Sequence, residues 1–305
     1  MSLAEPLLVV RVSDKHSDYR FIHNITSLSS PPRKIMQRPT QHPQFPPSMV
    51  PGQHGGVAQS GDMEQRQFPT VTGKRFSRCR ILAVCGTNDY AGNAAPNEDG
   101  WFFSDFFMLH HLLKPVTEDQ TWLTCVKPDI LVKKYSRYVQ GNPKTDDRRV
   151  VLDQDMLPDV ADVTYVDEKN LLQHLLWAIK SESDKAVKNG QTLVMILLGH
   201  GEPASFRIAI GGSGDQATAR NNSNRLDQGM VVRHLNAQAR VTLITTPCYS
   251  GGWTVSPLFN AYILAGVTAE DTSLSHPEAT LNRCCGSPFI GAVIEALIKL
   301  STVLS

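Results

Sequence analysis

From Arg80 onward, apolar residues fall into two alternating patterns. One is a short unbroken run: Ile81–Val84, Thr121–Val126, Thr192–Leu198, Val241–Thr245 and Ala261–Val267. Runs of this length without polar alternation predict strands covered on both faces, as in a parallel sheet. The other pattern has a helical period. Leu171, Leu172, Leu175, Leu176 and Ile179 share one face of a predicted helix that Asp167 can cap and Asn189-Gly190 can end. Further helices are predicted over Asn97–Lys114, stopped by Pro115, over Asp227–Asn236 and over Ser287–Leu300. In the first of these, Trp101, Phe102, Phe103, Phe106 and Phe107 read as core. Strand alternating with helix several times over implies an α/β fold with a doubly wound, mostly parallel sheet.

The pattern lapses in two places. Pro128–Asp162, with Gly141-Asn142-Pro143 and many charges, reads as an insertion with little regular structure. Residues 1–78 hold 9 of the 19 prolines and a Gln- and Gly-rich stretch from Gln53 to Gln67. They carry 10 Lys and Arg against 5 Asp and Glu, whereas residues 79–305 carry 20 against 24. Such a segment lacks the apolar periodicity to bury a core, so it is expected to be a disordered, weakly basic arm. The expected organisation is therefore an arm over 1–78 and one domain over 79–305.

Composition narrows the function classes. A net charge of +1 is too balanced for a nucleic-acid binder. No apolar run approaches the roughly 18–20 residues of a membrane-spanning helix, so no membrane role is expected. Pro6–Val10 is shorter than a signal-peptide core of about 7–15 residues, which points to the cytoplasm. Six cysteines, Cys79, Cys85, Cys125, Cys248, Cys284 and Cys285, are too unevenly spaced for a disulfide scaffold. With no CxxC or HExxH, no metal site is expected. The sequons at Asn24 and Asn221 matter only in a secreted chain.

Chemistry concentrates at two strand ends. One strand ends in Gly199-His200-Gly201, another in Pro247-Cys248-Tyr249-Ser250-Gly251-Gly252. In an open parallel sheet, functional groups gather at the carboxyl ends of the strands. Neighbouring strands would bring His200 and Cys248 into one cleft. A free thiol is only a few per cent ionised at neutral pH, and a nearby imidazole can take its proton. Acyl transfer also needs N–H donors for an oxyanion, and the amides of Gly201 and Cys248 are the candidates. Ser213–Asn224, rich in Gly, Ser and Asn, reads as a loop beside this site. His200 precedes Cys248 by 48 residues, the reverse of the papain-like order and close to caspase-type spacing. Pro247–Gly251 also lacks the first Gly of a G-x-S-x-G elbow.

At these residues the chain resembles the caspase-like cysteine peptidases, the group of caspases, metacaspases and legumains. Leu198-Gly199-His200-Gly201 resembles their strand-His-Gly motif, and Thr246-Pro247-Cys248-Tyr249-Ser250-Gly251 their Cys-x-Ser-Gly motif. Legumain is the nearer likeness: Val84-Cys85-Gly86-Thr87-Asn88 is similar to its first strand, and Thr268–Ser273 to a later strand end lining its specificity pocket. The resemblance implies a three-layer caspase-like sandwich and a cysteine endopeptidase acting on polypeptides without a cofactor. It implies Cys248 as nucleophile, His200 as general base and Asn88 as the residue orienting the imidazole.

The departures from that group bear on specificity. Thr246 stands where an acid or Gln helps to bind the P1 side chain, and Tyr90–Glu98 lacks the Arg that legumain carries. Asp89, Thr246, Asp271 and Ser273 are left as substrate-binding candidates, with the P1 residue unassigned. The chain stops at Ser305, where the group usually carries one more strand. These departures favour one rival, a non-catalytic caspase-like scaffold or regulator; a second is a transpeptidase or transamidase whose thioester, formed by the same Cys-His pair, is resolved by an amine.

Overall fold

A computed structural model describes residues 9–11, 78–142, 148–212, 224–255, 261–276 and 285–304. Its strands are β1 (Val9–Arg11), β2 (Cys79–Cys85), β3 (Gln120–Thr124), β4 (Tyr138–Gln140), β5 (Arg149–Leu152) and β6 (Thr164–Tyr165). They continue with β7 (Thr192–Leu198), β8 (Ile208–Ala209), β9 (Arg225–Leu226), β10 (Arg240–Thr245) and β11 (Tyr262–Ala265). The helices are α1 (Trp101–Leu113), α2 (Pro128–Tyr135), α3 (Leu171–Asn189), α4 (Gln228–His234), α5 (Gly252–Val255) and α6 (Pro288–Leu304).

The main sheet has the order β1-β11-β10-β7-β2-β3-β6. Its six strands from β11 to β6 are all parallel, as the unbroken apolar runs predict. Ile81–Cys85 and Met195–Leu198 are at most 1% exposed, because both of their faces are covered. Starting from β2, the chain moves outward to β3 and β6, then returns across β2 to β7, β10 and β11. Right-handed crossovers running in opposite directions place α1 and α3 on opposite faces. Accordingly α1 packs against β2 and α6, and α3 against β2, β7 and α4. The reversal makes the gap between the ends of β2 and β7 a topological switch point, where such sheets bind ligands.

Almost all of α1 is buried, including Phe102, Phe103, Phe106 and Phe107. A helix apolar on every side needs a cover, and the cover comes from the stretch expected to be irregular. Within Pro128–Asp162 lie α2, the antiparallel β4–β5 pair and a 3-10 turn over Gln154–Val160. Tyr138, Val151 and Leu152 from this region are fully buried. The expectation of an unstructured insertion is thus corrected: the elements are too short to show a period, and their order comes from packing on α1.

Two smaller departures have equally local reasons. Val9–Arg11, inside the expected arm, pairs antiparallel with β11, whose outer edge otherwise offers unpaired N–H and C=O groups; the rest of the arm lies outside the described residues. Asp167 caps the turn before α3 by accepting from the Lys169 N–H at 3.0 Å, and Asn170 occupies the helix N-cap.

Asp105, in the middle of α1, is fully buried and ties α1 to α6. Its carboxylate accepts from the Ser287 N–H at 3.0 and 3.2 Å and from the Ser287 hydroxyl at 2.6 Å. Burial pushes the Asp105 carboxyl up to about 7, with the Ser287 hydrogen bonds opposing the shift. Among the described residues no helix is long and apolar enough to cross a membrane.

Candidate functional site

Strands β2, β7 and β10 lie side by side, and each delivers a loop to the carboxyl edge of the sheet. The ladder between β7 and β10 keeps a constant offset of 48 positions, from Thr192 opposite Arg240 to Leu197 opposite Thr245. The Thr246 N–H extends it, donating to the Leu197 carbonyl at 3.3 Å. His200 and Cys248 are separated by the same offset, so the two residues leave adjoining strands at the same height.

Beyond the strands, the two loops are in backbone contact. A Cβ placed on Gly201 would lie 1.9 Å from the Cys248 carbonyl oxygen, an approach only glycine permits. Gly201 sits opposite Ile208, flanked by the Ala209 N–H to His200 C=O bond (2.8 Å) and the Glu202 N–H to Arg207 C=O bond (2.9 Å). In this non-hydrogen-bonded pairing the Gly201 N–H points away from the short ladder. Among the described residues neither the Gly201 nor the Cys248 N–H donates to a backbone carbonyl; the Cys248 N–H leans on its own Sγ. A ligand oxygen would find the Gly201 N–H open and would take the Cys248 N–H from the sulfur.

The imidazole of His200 is held from two sides. Its Nε2 lies 2.7 Å from Asp99 Oδ2, and the Phe102 ring meets it edge-on with centroids 5.2 Å apart. Its side chain stays 37% exposed. Asp99 ends the loop that leads from β2 into α1. Its place in the sequence, Glu98-Asp99-Gly100 just before a helix, gives the ordinary look of acidic residues at a helix start and hides its contact 101 positions away.

Cys248 is half-buried, with Sγ 4.0 Å from the Ser273 carbonyl oxygen. Burial pushes its thiol pKa up, backbone hydrogen bonds pull partly against that, and the nearby Asp99 charge raises it further. The sulfur therefore rests as a neutral thiol and needs a base to become a nucleophile. The next residue, Tyr249, has φ +61, a backbone strained for a bulky side chain. Its N–H is tied to the Asp271 carbonyl at 2.8 Å. A Cβ on Gly252 would meet the Phe206 ring at 2.1 Å, and the Trp253 indole N–H donates to the Phe206 carbonyl at 2.7 Å. These contacts lock the turn after Cys248 to the loop after His200.

The other sequence candidates are distributed differently. Asn88 is fully buried; its Nδ2 donates to the Gly212 carbonyl at 2.6 Å and its Oδ1 accepts from the Tyr90 N–H at 3.1 Å. It holds the loop after β2, and the carboxylate on the imidazole is that of Asp99. Asp89 faces α2, pairing with Lys134 and accepting from the Tyr135 hydroxyl at 2.5 Å. Thr246 is fully buried, with no partner for its hydroxyl among the described residues. Asp271 and Ser273 reach the site through their carbonyls, while the Asp271 carboxylate accepts from the Thr268 hydroxyl at 2.8 Å. The loop over Ser213–Asn224 lies outside the described residues except for Asn224, as do Cys284 and both sequons. Among the described residues no three His, Cys, Asp or Glu side chains gather as a metal site.

No protein-family model matches the sequence, and no curated protein does either. A thiol and an imidazole delivered by adjoining strands at one height, with the Gly201 N–H open to a ligand oxygen, are the kinds of group that acyl transfer uses.

Proposed function

We propose that the chain is a cysteine endopeptidase of the caspase-like kind, with Cys248 as nucleophile and His200 as general base. The observation that carries this reading is the shared register of the two residues on adjoining parallel strands, with the Gly201 backbone against the Cys248 carbonyl. His200 takes the thiol proton as Sγ attacks the carbonyl carbon of a peptide bond. The oxygen of the tetrahedral intermediate collects negative charge and accepts from the Gly201 and Cys248 N–H groups. The imidazolium then gives its proton to the departing amine, leaving a thioester at Cys248. Water, deprotonated by the same imidazole, attacks the thioester and releases the acid with the thiol restored.

The substrate is a polypeptide, and the natural setting is the cytosol, where free thiols persist. Cys79, Cys85 and Cys125 are thiols as well, and burial pushes each of them up, as it does Cys248, with Cys79 at about 11 and Cys125 at about 12. Cys248 is the cysteine whose loop shares its register and its backbone contact with the loop of His200.

The test is cleavage of a peptide library by the wild type and by Cys248→Ala, read by mass spectrometry. Cleavage that disappears in the variant supports the peptidase and reveals the P1 residue. Products joined to an added amine would identify a transpeptidase. Wild-type protein that neither cleaves nor ligates any member of the library would leave a scaffold.

A further inference from the structure

We infer that Asp99 is a positioning residue of this site, whose carboxylate fixes the orientation and tautomer of His200 so that Nδ1 serves the Cys248 thiol. The inference rests on the Cys-His reading above and adds a third group to it.

An ionised carboxylate only accepts hydrogen bonds. At 2.7 Å from Asp99 Oδ2, the Nε2 of His200 must therefore carry the hydrogen. In the neutral ring the remaining lone pair is on Nδ1, the nitrogen nearer the main chain. That lone pair is what a general base offers to a thiol. In the other tautomer Asp99 would meet a bare nitrogen at Nε2, and Nδ1 would carry the hydrogen in place of the lone pair.

The carboxylate is also delivered with little freedom. The Asp99 N–H donates to the Asn93 carbonyl at 2.9 Å, and the Asp99 carbonyl accepts from the Phe102 N–H at 3.1 Å. A Cβ on the following Gly100 would lie 2.6 Å from the Ala95 carbonyl oxygen, so the loop and the start of α1 are pressed together. One turn along, Phe102 sets its ring against the imidazole. A single helix start thus grips His200 by its edge and by its face. Asn88, the other orienting candidate, spends its amide on Gly212.

The charge of Asp99 acts on both states of the pair. Before proton transfer it disfavours a bare thiolate at Cys248; after transfer it faces the imidazolium directly. It thereby couples the appearance of the nucleophile to protonation of His200.

The test needs no knowledge of the substrate. Alkylation of Cys248 by iodoacetamide is followed by peptide mass spectrometry from about pH 5 to about pH 9, the range in which imidazole and thiol titrate. Asp99→Asn presents an amide N–H to Nε2 and turns the lone pair the wrong way. Its alkylation rate near neutrality should fall about 10-fold or more, with the same loss of the imidazole-dependent limb that His200→Ala produces. Asp99→Glu should recover part of both. A merely structural role would change thermal stability and leave the pH profile in place. Asp99→Ser repeats the measurement if Asp99→Asn does not fold.

A wild-type rate and pH profile in Asp99→Asn, alongside a clear loss in His200→Ala, would overturn the assignment and leave the Cys-His reading intact. An unchanged profile in His200→Ala would overturn the Cys-His reading first, and the role of Asp99 with it.

Discussion

The two ends of the central sheet are built from the same strands and treat charge in opposite ways. At the amino end, the Arg80 side chain is 9% exposed and satisfied on every side. It donates to Glu182 at 2.7 Å, to Asp119 at 2.5 Å and to Gln191 at 3.3 Å. Gln191 closes the ring on Asp119 at 2.6 Å, and Lys185 covers the other oxygen of Glu182 at 2.7 Å. At the carboxyl end, the Gly201 N–H has no backbone acceptor among the described residues, a neutral thiol and a half-open imidazole leave adjoining strands at one height, and Tyr249 is held at a strained angle. One end answers each buried charge with a partner and fixes the strand register. The other leaves groups unanswered, which a ligand can then answer. Stability and reactivity are separated along the strands, so each can be perturbed alone.

The sharpest way to break the comparison is Cys248→Ala. Peptide hydrolysis should drop about 10⁴-fold or more, in line with the loss of a covalent nucleophile, while the unfolding free energy moves by less than about 1 kcal/mol. A large stability loss would mean that the thiol is core and the carboxyl end is as structural as the amino end.

The converse is Arg80→Met. Removing the cation leaves Glu182 and Asp119 without it, and one partner lost from a buried ion pair costs about 3 kcal/mol or more. Denaturant unfolding should show that loss, with the alkylation rate of Cys248 in the folded protein unchanged.

Asp105, between the two ends, gives a test by pH. Its carboxyl titrates at about 7 in the fold, against about 4 in an unfolded chain. Its contribution to stability is complete below pH 4 and is lost as pH rises through 7, because only the unfolded chain releases this proton in that window. The slope should reach about 1.4 kcal/mol per pH unit at most. In Asp105→Asn that slope should be absent, as read by urea midpoints at several pH values. A wild-type slope persisting in the variant would place the titrating group elsewhere.

The smallest expected effect sharpens the site itself. Gly201→Ala forces a methyl against the Cys248 carbonyl and displaces one N–H donor. The rate of peptide hydrolysis should fall about 10- to 100-fold, with a stability loss of about 1–3 kcal/mol. Equal rates in variant and wild type would remove Gly201 from the oxyanion site.

The sequence made some of this contrast visible. Strands β2, β7 and β10 were legible because burial on both faces demands unbroken apolar runs, and a parallel sheet then puts His200 and Cys248 on one edge. Helix α3 was legible from its leucine stripe and Gly190. The region from α2 to the 3-10 turn was not, because its elements are three to eight residues long and are ordered by contact with α1. Asp99 was hidden for a related reason. Nothing local distinguishes it from Glu98, and its partner is on another strand. Asn88 was expected to orient the imidazole only through the resemblance to the legumain first strand, yet an amide beside a tight loop finds backbone partners first. Thr246 was read as a pocket residue because it stands where the resembling group carries an acid or Gln, whereas it is fully buried just past the end of β10.

The indole of Trp253 hydrogen-bonded to the Phe206 carbonyl has a mechanical consequence. It welds the support of the base to the support of the sulfur, so those two groups travel as one rigid piece. Accommodation of differently shaped cargo then falls to the stretch from Thr268 to His276, which touches that piece through the Asp271 and Ser273 carbonyls. Selectivity could be rewritten there without retuning the reaction.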